Sequence, residues 1–541
     1  MGNTTKGQHQ HSRPISEIIK LEKGHFWQFL ASNKILLWVT GVAMLVTYGI
    51  KVMWLDYSID TEIAIDNYRH IQHLWIGLDR LGLVVLKRIL FPGLFNPFLE
   101  NVLTYITLFW VIIALCFLFT RLVSPQRIKP LYCVTFGLLF MSSPIIAEQL
   151  NFVSQSFEVC LGMLFIVLAV YLLYLSLEYN RKNLFVSSIF ISAFAVSIYQ
   201  SLPPFYVACV AGCLLLLAMP LNTRYSNKKF WQLAMSGTGA FIGTMAIFYT
   251  LPYIYYLLTG SKAAIGSTYL SSQIGWGRLP FGKVINDIWE AIRAIVSGQG
   301  YFYNHALIVG LAILILTIAL TYNRQEVWSK RINVGLALIV LTLSPFLLII
   351  AIGSNPAIRT NMPTLQFTTA FVYLYIAMRA KQQLVKVGII LIGLVFSYTQ
   401  IVTTSNVLYL EHMKYEEDIA LTTRFAARLD QLGFDDYRDY HLVVIGVHEP
   451  RIPGEVKSEA VLDNSFYEWD TNTFTGVSNR VAGFMISQGY PFELFDATDS
   501  SDKAVAKRVF LEYLNLPLWP QRGSVTIDQS DKVVVLRIGE S

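Results

Sequence analysis

The sequence predicts a polytopic α-helical membrane protein with about 11 transmembrane helices and a small α/β domain at its C-terminal end. Of the 541 residues, 54% are hydrophobic and only 14% are charged, whereas soluble proteins carry roughly 25% charged residues. Apolar runs of about 20 residues recur along the chain, and each is long enough to cross a bilayer. The charge is divided, because residues 1–403 carry a net charge of +15 and residues 404–541 a net charge of −9.

The first segment, residues 1–34, is polar and basic and lacks the apolar region and cleavage site of a signal peptide. We expect it to lie in the cytoplasm or at the membrane interface, with the first span retained as an anchor. Residues 35–403 form the predicted transmembrane domain. Its spans are 35–54, 98–120, 131–147, 158–177, 185–201, 205–221, 233–258, 306–322, 334–352, 367–380 and 387–403.

Lysine and arginine in the short loops predict the orientation of the chain. They occupy the loops after the second, fourth, sixth, eighth and tenth spans, whereas loops 148–157 and 202–204 contain none. The positive-inside rule therefore places these basic loops and the N-terminal segment in the cytoplasm. The regions left outside are loops 55–97, 259–305 and 353–366 and the C-terminal residues 404–541.

Two of the outer loops contain segments with helical patterns. Residues 81–90 form an apolar run, interrupted by Lys87 and Arg88, which is too short to span the membrane and predicts a helix along its outer surface. Residues 281–297 repeat apolar side chains with a helical period. Both loops could cover a cavity.

Residues 404–541 form the predicted extracytoplasmic α/β domain, in which helical and strand patterns alternate. Helices are predicted at 408–432, 476–488 and 500–514, and strands at 441–446, 524–528 and 532–537. The basic residues lie in membrane loops and this domain is acidic, so nothing indicates a nucleic-acid partner. The five cysteines all fall in apolar spans, which predicts small core residues rather than a disulfide framework or metal site.

Four acidic residues follow the first span and fall together at one membrane face: Asp56, Asp60, Glu62 and Asp66. Ionisable residues at a membrane boundary favour a functional interpretation. Glycosyl transfer needs a base that removes a proton from the acceptor hydroxyl, and a carboxylate can do this. Asp60 and Glu62 would share one face of an extended segment. The alternative is a solvated loop with ordinary surface carboxylates.

Two outer cations are candidates for holding a phosphate. Arg80 could do so beside Trp75, whose indole could stack on a sugar or a prenyl chain. Arg359 is the one cation in loop 353–366, and arginine suits bidentate phosphate contact. The alternatives are an interfacial tryptophan with a snorkelling arginine, and an Arg359 that only marks topology.

Further polar residues lie at the depth of the spans and should line a cavity or the bundle interior, because they cannot face lipid cheaply. They include Glu148 and Glu158 around one turn, and Tyr199 and Gln200 at the end of another span. A metal site at His70 and His73 is unsupported by a fuller ligand pattern.

The chain resembles the GtrII-type bacterial membrane glucosyltransferase family, whose members have the GT-C superfold. The resemblance covers most of the chain and rests on short motifs in a consistent order. These motifs are Ile59-Asp60-Thr61-Glu62, Trp75 with Arg80-Leu81-Gly82-Leu83-Val84, Ser143-Pro144, Tyr199-Gln200-Ser201, Leu518-Trp519-Pro520 and Gly523-Ser524-Val525.

The resemblance implies a polyprenyl-phosphate sugar donor, typically carrying glucose, at the outer face of the bacterial cytoplasmic membrane. The acceptor would be a cell-surface polysaccharide, and neither metal nor cofactor is implied. An acidic residue of the first outer loop would act as base, which fits Asp60 best, with Glu62 and Asp66 as alternates. Relatives often have paired aspartates here, whereas Thr61 follows Asp60 and Asn67 follows Asp66.

The leading hypothesis is therefore a membrane glycosyltransferase that uses a polyprenyl-phosphate-linked sugar. A lipid-linked glycan transporter would need inverted repeats and charges along a mid-membrane path, and neither is evident in the sequence. A polysaccharide polymerase or ligase shares the long outer loops and is a nearer alternative. A non-catalytic assembly partner is a third.

Overall fold

The computed structural model describes residues 14–123, 128–219, 222, 225–260, 272–299, 304–320, 328–450, 452, 462 and 464–540. Helices dominate these residues, and three short strands lie near the C-terminal end. The first ten helices are α1 (Ile15–Ser32), α2 (Lys34–Met53), α3 (Thr61–Asp66), α4 (Tyr68–Gly77), α5 (Leu81–Leu90), α6 (Pro97–Leu122), α7 (Pro130–Met141), α8 (Pro144–Leu150), α9 (Ser156–Glu178) and α10 (Lys182–Val196). The next ten are α11 (Leu202–Leu217), α12 (Asn227–Thr259), α13 (Phe281–Ser297), α14 (Ala306–Leu320), α15 (Trp328–Leu343), α16 (Leu347–Ile352), α17 (Thr364–Arg379), α18 (Gln383–Gln431), α19 (Gly476–Ser487) and α20 (Ser500–Glu512). The strands are β1 (His441–Ile445), β2 (Val525–Asp528) and β3 (Val533–Arg537).

The described residues contain six helices that are long and apolar enough to cross a membrane, or seven if α7 and α8 form one span with a bend of 54°. That bend falls at Ser143, because a residue before proline is disfavoured in the helical conformation and Pro144 follows. Three further apolar helices, α10, α11 and α14, are shorter. All eleven predicted spans coincide with helical segments, so the chain is a polytopic helical membrane protein, while the count of eleven stays a prediction.

Helix α18 joins two elements that the sequence predicts as separate. The predicted span 387–403 and the predicted helix 408–432 are parts of one helix of 49 residues, since no glycine or proline interrupts residues 404–408. The predicted domain boundary at 403/404 therefore falls inside a continuous helix, and the division into two domains stays a prediction.

A buried ion-pair triad ties α18 to the first apolar helix. Lys51 Nζ lies 3.3 Å from Asp56 Oδ2 and 3.6 Å from Glu411 Oε2, and all three side chains are buried. A buried charge is tolerated when it is paired. Asp56 thus has a structural role where the chain leaves α2.

Loop 55–97 folds into the three helices α3, α4 and α5. The predicted helix at residues 81–90 is confirmed as α5, while its place along the outer surface stays a prediction. Its Lys87 faces inward and its Arg88 is exposed. Lys87 is fully buried and contacts Glu100 and Glu158, whereas Val85 and Ile89 are exposed. Pairing with two carboxylates offsets the cost of burying the ammonium group.

The three strands form a mixed sheet in the order β1-β3-β2 at the end of α18. β1 pairs parallel with β3, and β2 pairs antiparallel with β3. Both faces of the sheet are covered. Val443, Ile445 and Val535 pack with α20 on one face, and Leu442 and Val444 belong to the main core on the other.

Candidate functional site

Asp60 and Glu62 meet an arginine from the C-terminal region. Arg480 Nη1 lies 3.1 Å from Asp60 Oδ1 and also donates to Glu62 Oε1. The same guanidinium donates to Asp470 Oδ2 from Nη2 at 2.5 Å and from Nε at 2.8 Å. We call these four residues, Asp60, Glu62, Asp470 and Arg480, the acid–arginine cluster.

Local geometry sets the exposure of each carboxylate. Asp60 precedes α3 with φ +68° and keeps a side chain that is 46% exposed. Glu62 lies in the first turn of α3 and is buried. Helix α19 approaches it closely because of Gly483, where a Cβ atom would lie 3.1 Å from Glu62 Cγ. One carboxylate therefore faces solvent, and its neighbour is enclosed by α19.

Burial raises the pKa of Glu62 to about 7, against the opposing effect of the Arg480 guanidinium and with a smaller contribution from the Asp60 charge. Burial also tends to lower the pKa of Arg480, but the neighbouring carboxylates outweigh it and the pKa is raised. Three carboxylates thus surround one permanent cation. Such a cluster retains a negative charge, which suits acceptance of a proton.

Asp66 and Trp75 lie apart from this cluster. Asp66 is the last residue of α3 and is exposed, with a pKa raised by partial burial and lowered to a smaller extent by His70. Trp75 is buried in α4, and its carbonyl oxygen accepts a hydrogen bond from the Arg80 backbone N–H at 2.9 Å. Trp75 therefore fixes the backbone at Arg80, and its indole is enclosed by the core.

Arg80 is at the centre of a polar network that includes the predicted Tyr199 and Gln200. Its Nη1 donates to Gln155 Oε1 at 2.7 Å, and its Nε donates to Gln200 Oε1 at 3.2 Å. Its guanidinium carbon lies 4.9 Å from the centre of the Tyr199 ring. The Tyr199 hydroxyl in turn donates to Gln149 Oε1 at 2.7 Å. Residues from two separate segments, Gln155 from one and Tyr199 and Gln200 from the other, therefore hold the guanidinium in one orientation.

Arg359 contacts the segment that connects α8 to α9, as Arg80 does through Gln155. Its partner there is Glu148, near the end of α8. Arg359 Nη1 lies 3.5 Å from Glu148 Oε1, and the guanidinium carbon lies 4.5 Å from the centre of the Phe152 ring. Glu148 is buried, and the Arg359 side chain is 23% exposed. The turn at residues 148–155 thus contacts both candidate phosphate-binding arginines.

Glu158 is placed differently from the other predicted polar residues. It is fully buried and lies 3.0 Å from Lys87 Nζ, which also contacts Glu100. It lies in the first turn of α9 and belongs to a buried ion-pair group.

Arg480 and Asp470 are the members of the cluster that sequence reasoning missed. Arg480 is 420 residues from Asp60 along the chain, and it lies in an ordinary helical pattern with no motif around it. The fold alone brings the two together. Among the described residues, no group of three or more histidine, cysteine, aspartate or glutamate side chains could hold a metal ion.

Comparison with known protein families gives a match over much of the chain. The family model described as glucosyl transferase GtrII matches residues 52–378, which is more than half of the chain. The matched region contains Asp60, Glu62, Arg80 and Arg359, whereas Asp470 and Arg480 lie beyond it. Neither the comparison with curated proteins nor that with solved structures gives a match.

Proposed function

The chain belongs to the GtrII glucosyl transferase family, and from that premise we propose a donor, an acceptor and a base. The donor is a polyprenyl-phosphate-linked glucose, and the acceptor is a cell-envelope polysaccharide at the outer face of the bacterial cytoplasmic membrane. The observation that carries the proposal is the acid–arginine cluster, in which carboxylates that follow an apolar helix meet an arginine from the C-terminal α/β region.

Asp60 is the base in this proposal. Its side chain is half-exposed, and Arg480 contacts one of its oxygens, so an acceptor hydroxyl can reach it. Glu62 is enclosed, which suits a supporting role. As Asp60 removes the proton, the hydroxyl oxygen attacks the anomeric carbon and the lipid phosphate leaves, with inversion in a single displacement.

The lipid phosphate needs a cation as negative charge develops on it. Arg80 and Arg359 are the candidates, and both are held in place, Arg80 by two glutamines and Arg359 by Glu148 and Phe152. A fixed guanidinium offers parallel donors to phosphate oxygens.

The test uses the purified protein in lipid nanodiscs with radiolabelled polyprenyl-phosphate-glucose and envelope polysaccharide. The Asp60→Asn variant should transfer label at least about 100-fold more slowly, since a general base contributes roughly 10²- to 10⁴-fold. Asp66→Asn, which alters an exposed carboxylate outside the cluster, should transfer normally.

Normal transfer by Asp60→Asn would remove Asp60 from the mechanism, and loss of transfer in Asp66→Asn would assign the base to Asp66. In sealed proteoliposomes, label that crosses the bilayer while still attached to its lipid would instead support the transporter alternative.

A further inference from the structure

A cavity of about 710 Å³ opens in the C-terminal α/β region. This volume lies within the range of about 300–1,000 Å³ typical of small-molecule sites. It is placed where ligands bind in α/β folds, at the carboxyl ends of parallel strands. Gly446 follows β1 and Glu540 follows β3, and both line the cavity.

The floor of the cavity depends on two glycines. A Cβ atom on Gly446 would lie 2.2 Å from the Gly539 carbonyl oxygen, and one on Gly539 would lie 2.0 Å from the Val447 carbonyl oxygen. Gly446 also has φ +83°. Only glycine permits this close approach of the two strand ends. Without side chains at these positions, the cavity beside them stays open for a ligand.

The lining includes two cations on one helix face. Lys503 and Lys507 are four residues apart on α20, so their side chains project from the same side. Neither forms a salt bridge with a described residue, and Glu540 is the one carboxylate in the lining. The lining is therefore net positive, although residues 404–541 have a net charge of −9.

The rest of the lining suits a sugar. Phe474 and Phe510 lie with ring centres 5.1 Å apart, and both contribute to the wall. Aromatic faces give apolar contact area. Thr471, Asn472 and Thr473 supply hydroxyl and amide groups beside them. Aromatic, hydrogen-bonding and cationic groups together match a saccharide that carries an anionic substituent.

Residues that line the cavity adjoin the acid–arginine cluster along the chain. Asp470, which accepts two hydrogen bonds from Arg480, directly precedes the lining residues 471–475. Helix α19 begins at the cavity wall with Thr475 and Val477 and presents Arg480 one turn later. A chain bound in the cavity would therefore lie beside the segment that contacts Asp60.

We propose that this cavity binds an anionic segment of the acceptor saccharide and directs a hydroxyl toward Asp60. Lys503 and Lys507 contact the carboxylate or phosphate of the saccharide, and Phe474 and Phe510 contact the apolar face of a sugar ring. This inference rests on the proposed function for its choice of an acceptor, but the binding it describes can be measured without transfer.

The experiment measures binding to the full chain in nanodiscs by calorimetry. The probes are a galacturonic acid tetrasaccharide, a phosphorylated maltotetraose and neutral maltotetraose. We expect at least one acidic probe to bind, more weakly as salt increases, and the neutral probe to bind at least tenfold more weakly. Lys503→Gln/Lys507→Gln should lower the affinity for the acidic probe at least tenfold, and the two acidic probes identify the preferred anion.

The matched control is Lys532→Gln, which removes a lysine of the same region that lies outside the cavity, 3.5 Å from Asp439. It should bind like the unmodified chain. Equal affinity for neutral and acidic probes, no binding of any probe, or undiminished binding by the double variant would overturn the inference. Acidic-probe binding by a chain that transfers no glucose would overturn only the proposed function, and transfer without acidic-probe binding would overturn only the cavity assignment.

Discussion

At the residue scale, the acid–arginine cluster separates two carboxylates that are only two positions apart. Asp60 remains half-exposed, and Glu62 is buried against α19. Arg480 contacts both and is itself fixed by Asp470. One guanidinium therefore orients the half-exposed carboxylate and neutralises the enclosed one.

Removing this cation should damage both stability and transfer. Arg480→Gln leaves Glu62 enclosed without its partner. Because the pKa of this carboxyl is already about 7, it can take up a proton, so the loss of unfolding free energy should stay below the roughly 3–5 kcal/mol of a broken buried ion pair. We expect transfer by the folded fraction to fall at least tenfold. Arg480→Lys should recover part of the rate, because it keeps the charge but lacks the planar fork.

The control is Arg508→Gln, which alters an exposed arginine paired with Asp531. Transfer rates should be normalised to the monodisperse protein after size-exclusion chromatography. A wild-type rate in Arg480→Gln would show that the contact has no part in positioning Asp60.

Glu62 should make stability depend on pH. Its pKa rises from an ordinary 4.5 to about 7 on folding, so between these values the folded state holds a proton that the unfolded chain releases. The stability due to this group is therefore fully present below pH 4.5 and is lost as pH rises through about 7. The total is about 3 kcal/mol.

Glu62→Gln should reduce the dependence of stability on pH in this range. The measurement is the apparent melting temperature at a series of pH values between 5 and 8. Glu17→Gln, a change at an exposed glutamate in the first turn of α1, should leave the slope unaltered. An identical slope in Glu62→Gln would show that another group causes the dependence.

At the element scale, one close contact sets the position of α5 within loop 55–97. Gly82 begins α5 against α10, and its backbone N–H donates to the Ser197 carbonyl oxygen at 3.0 Å. A Cβ atom there would lie 2.3 Å from Ser197 Oγ and 2.9 Å from the Phe194 carbonyl oxygen. The contact also holds Arg80, two residues earlier, beside Gln200.

Gly82→Ala should therefore displace α5 and Arg80 together. We expect a loss of about 1–3 kcal/mol in stability from overpacking and a rise in the KM for polyprenyl-phosphate-glucose that exceeds the fall in kcat. Gly282→Ala, where nothing lies within 4 Å of the new methyl group, is the control. An unchanged donor KM in Gly82→Ala would argue against Arg80 as a donor-binding residue.

The elements themselves followed closely from local patterns. Helices α5 and α13 begin and end where the apolar period predicted, because helix formation depends on neighbours three and four residues apart. The patterns are less informative where tertiary packing buries polar residues of a helix. The pattern divides the 49-residue α18 because its second half is polar, yet Lys414 and Asp418 are buried there, and Asp418 accepts hydrogen bonds from Ser465 and Phe466.

At the scale of the whole molecule, the proposed orientation places α19 and the sheet at the outer face of the cytoplasmic membrane. All five natural cysteines are buried, so an introduced exposed cysteine can report its side of the membrane. Lys182→Cys, in a predicted cytoplasmic loop, should react with a membrane-impermeant maleimide only after cells are opened. Lys532→Cys should react in spheroplasts that are intact, and the reverse pattern would invert the proposed topology.

The sequence by itself determined the class of protein, the helical segments and the family, because hydrophobic periodicity and short motifs are local properties of the chain. It also singled out Asp60, Glu62, Arg80 and Arg359. Only the tertiary structure decided which partners these residues have. Arg480 reaches Asp60 across 420 residues, and Lys87 meets Glu158 inside the bundle. Such pairings depend on how distant elements pack, and no local pattern encodes them.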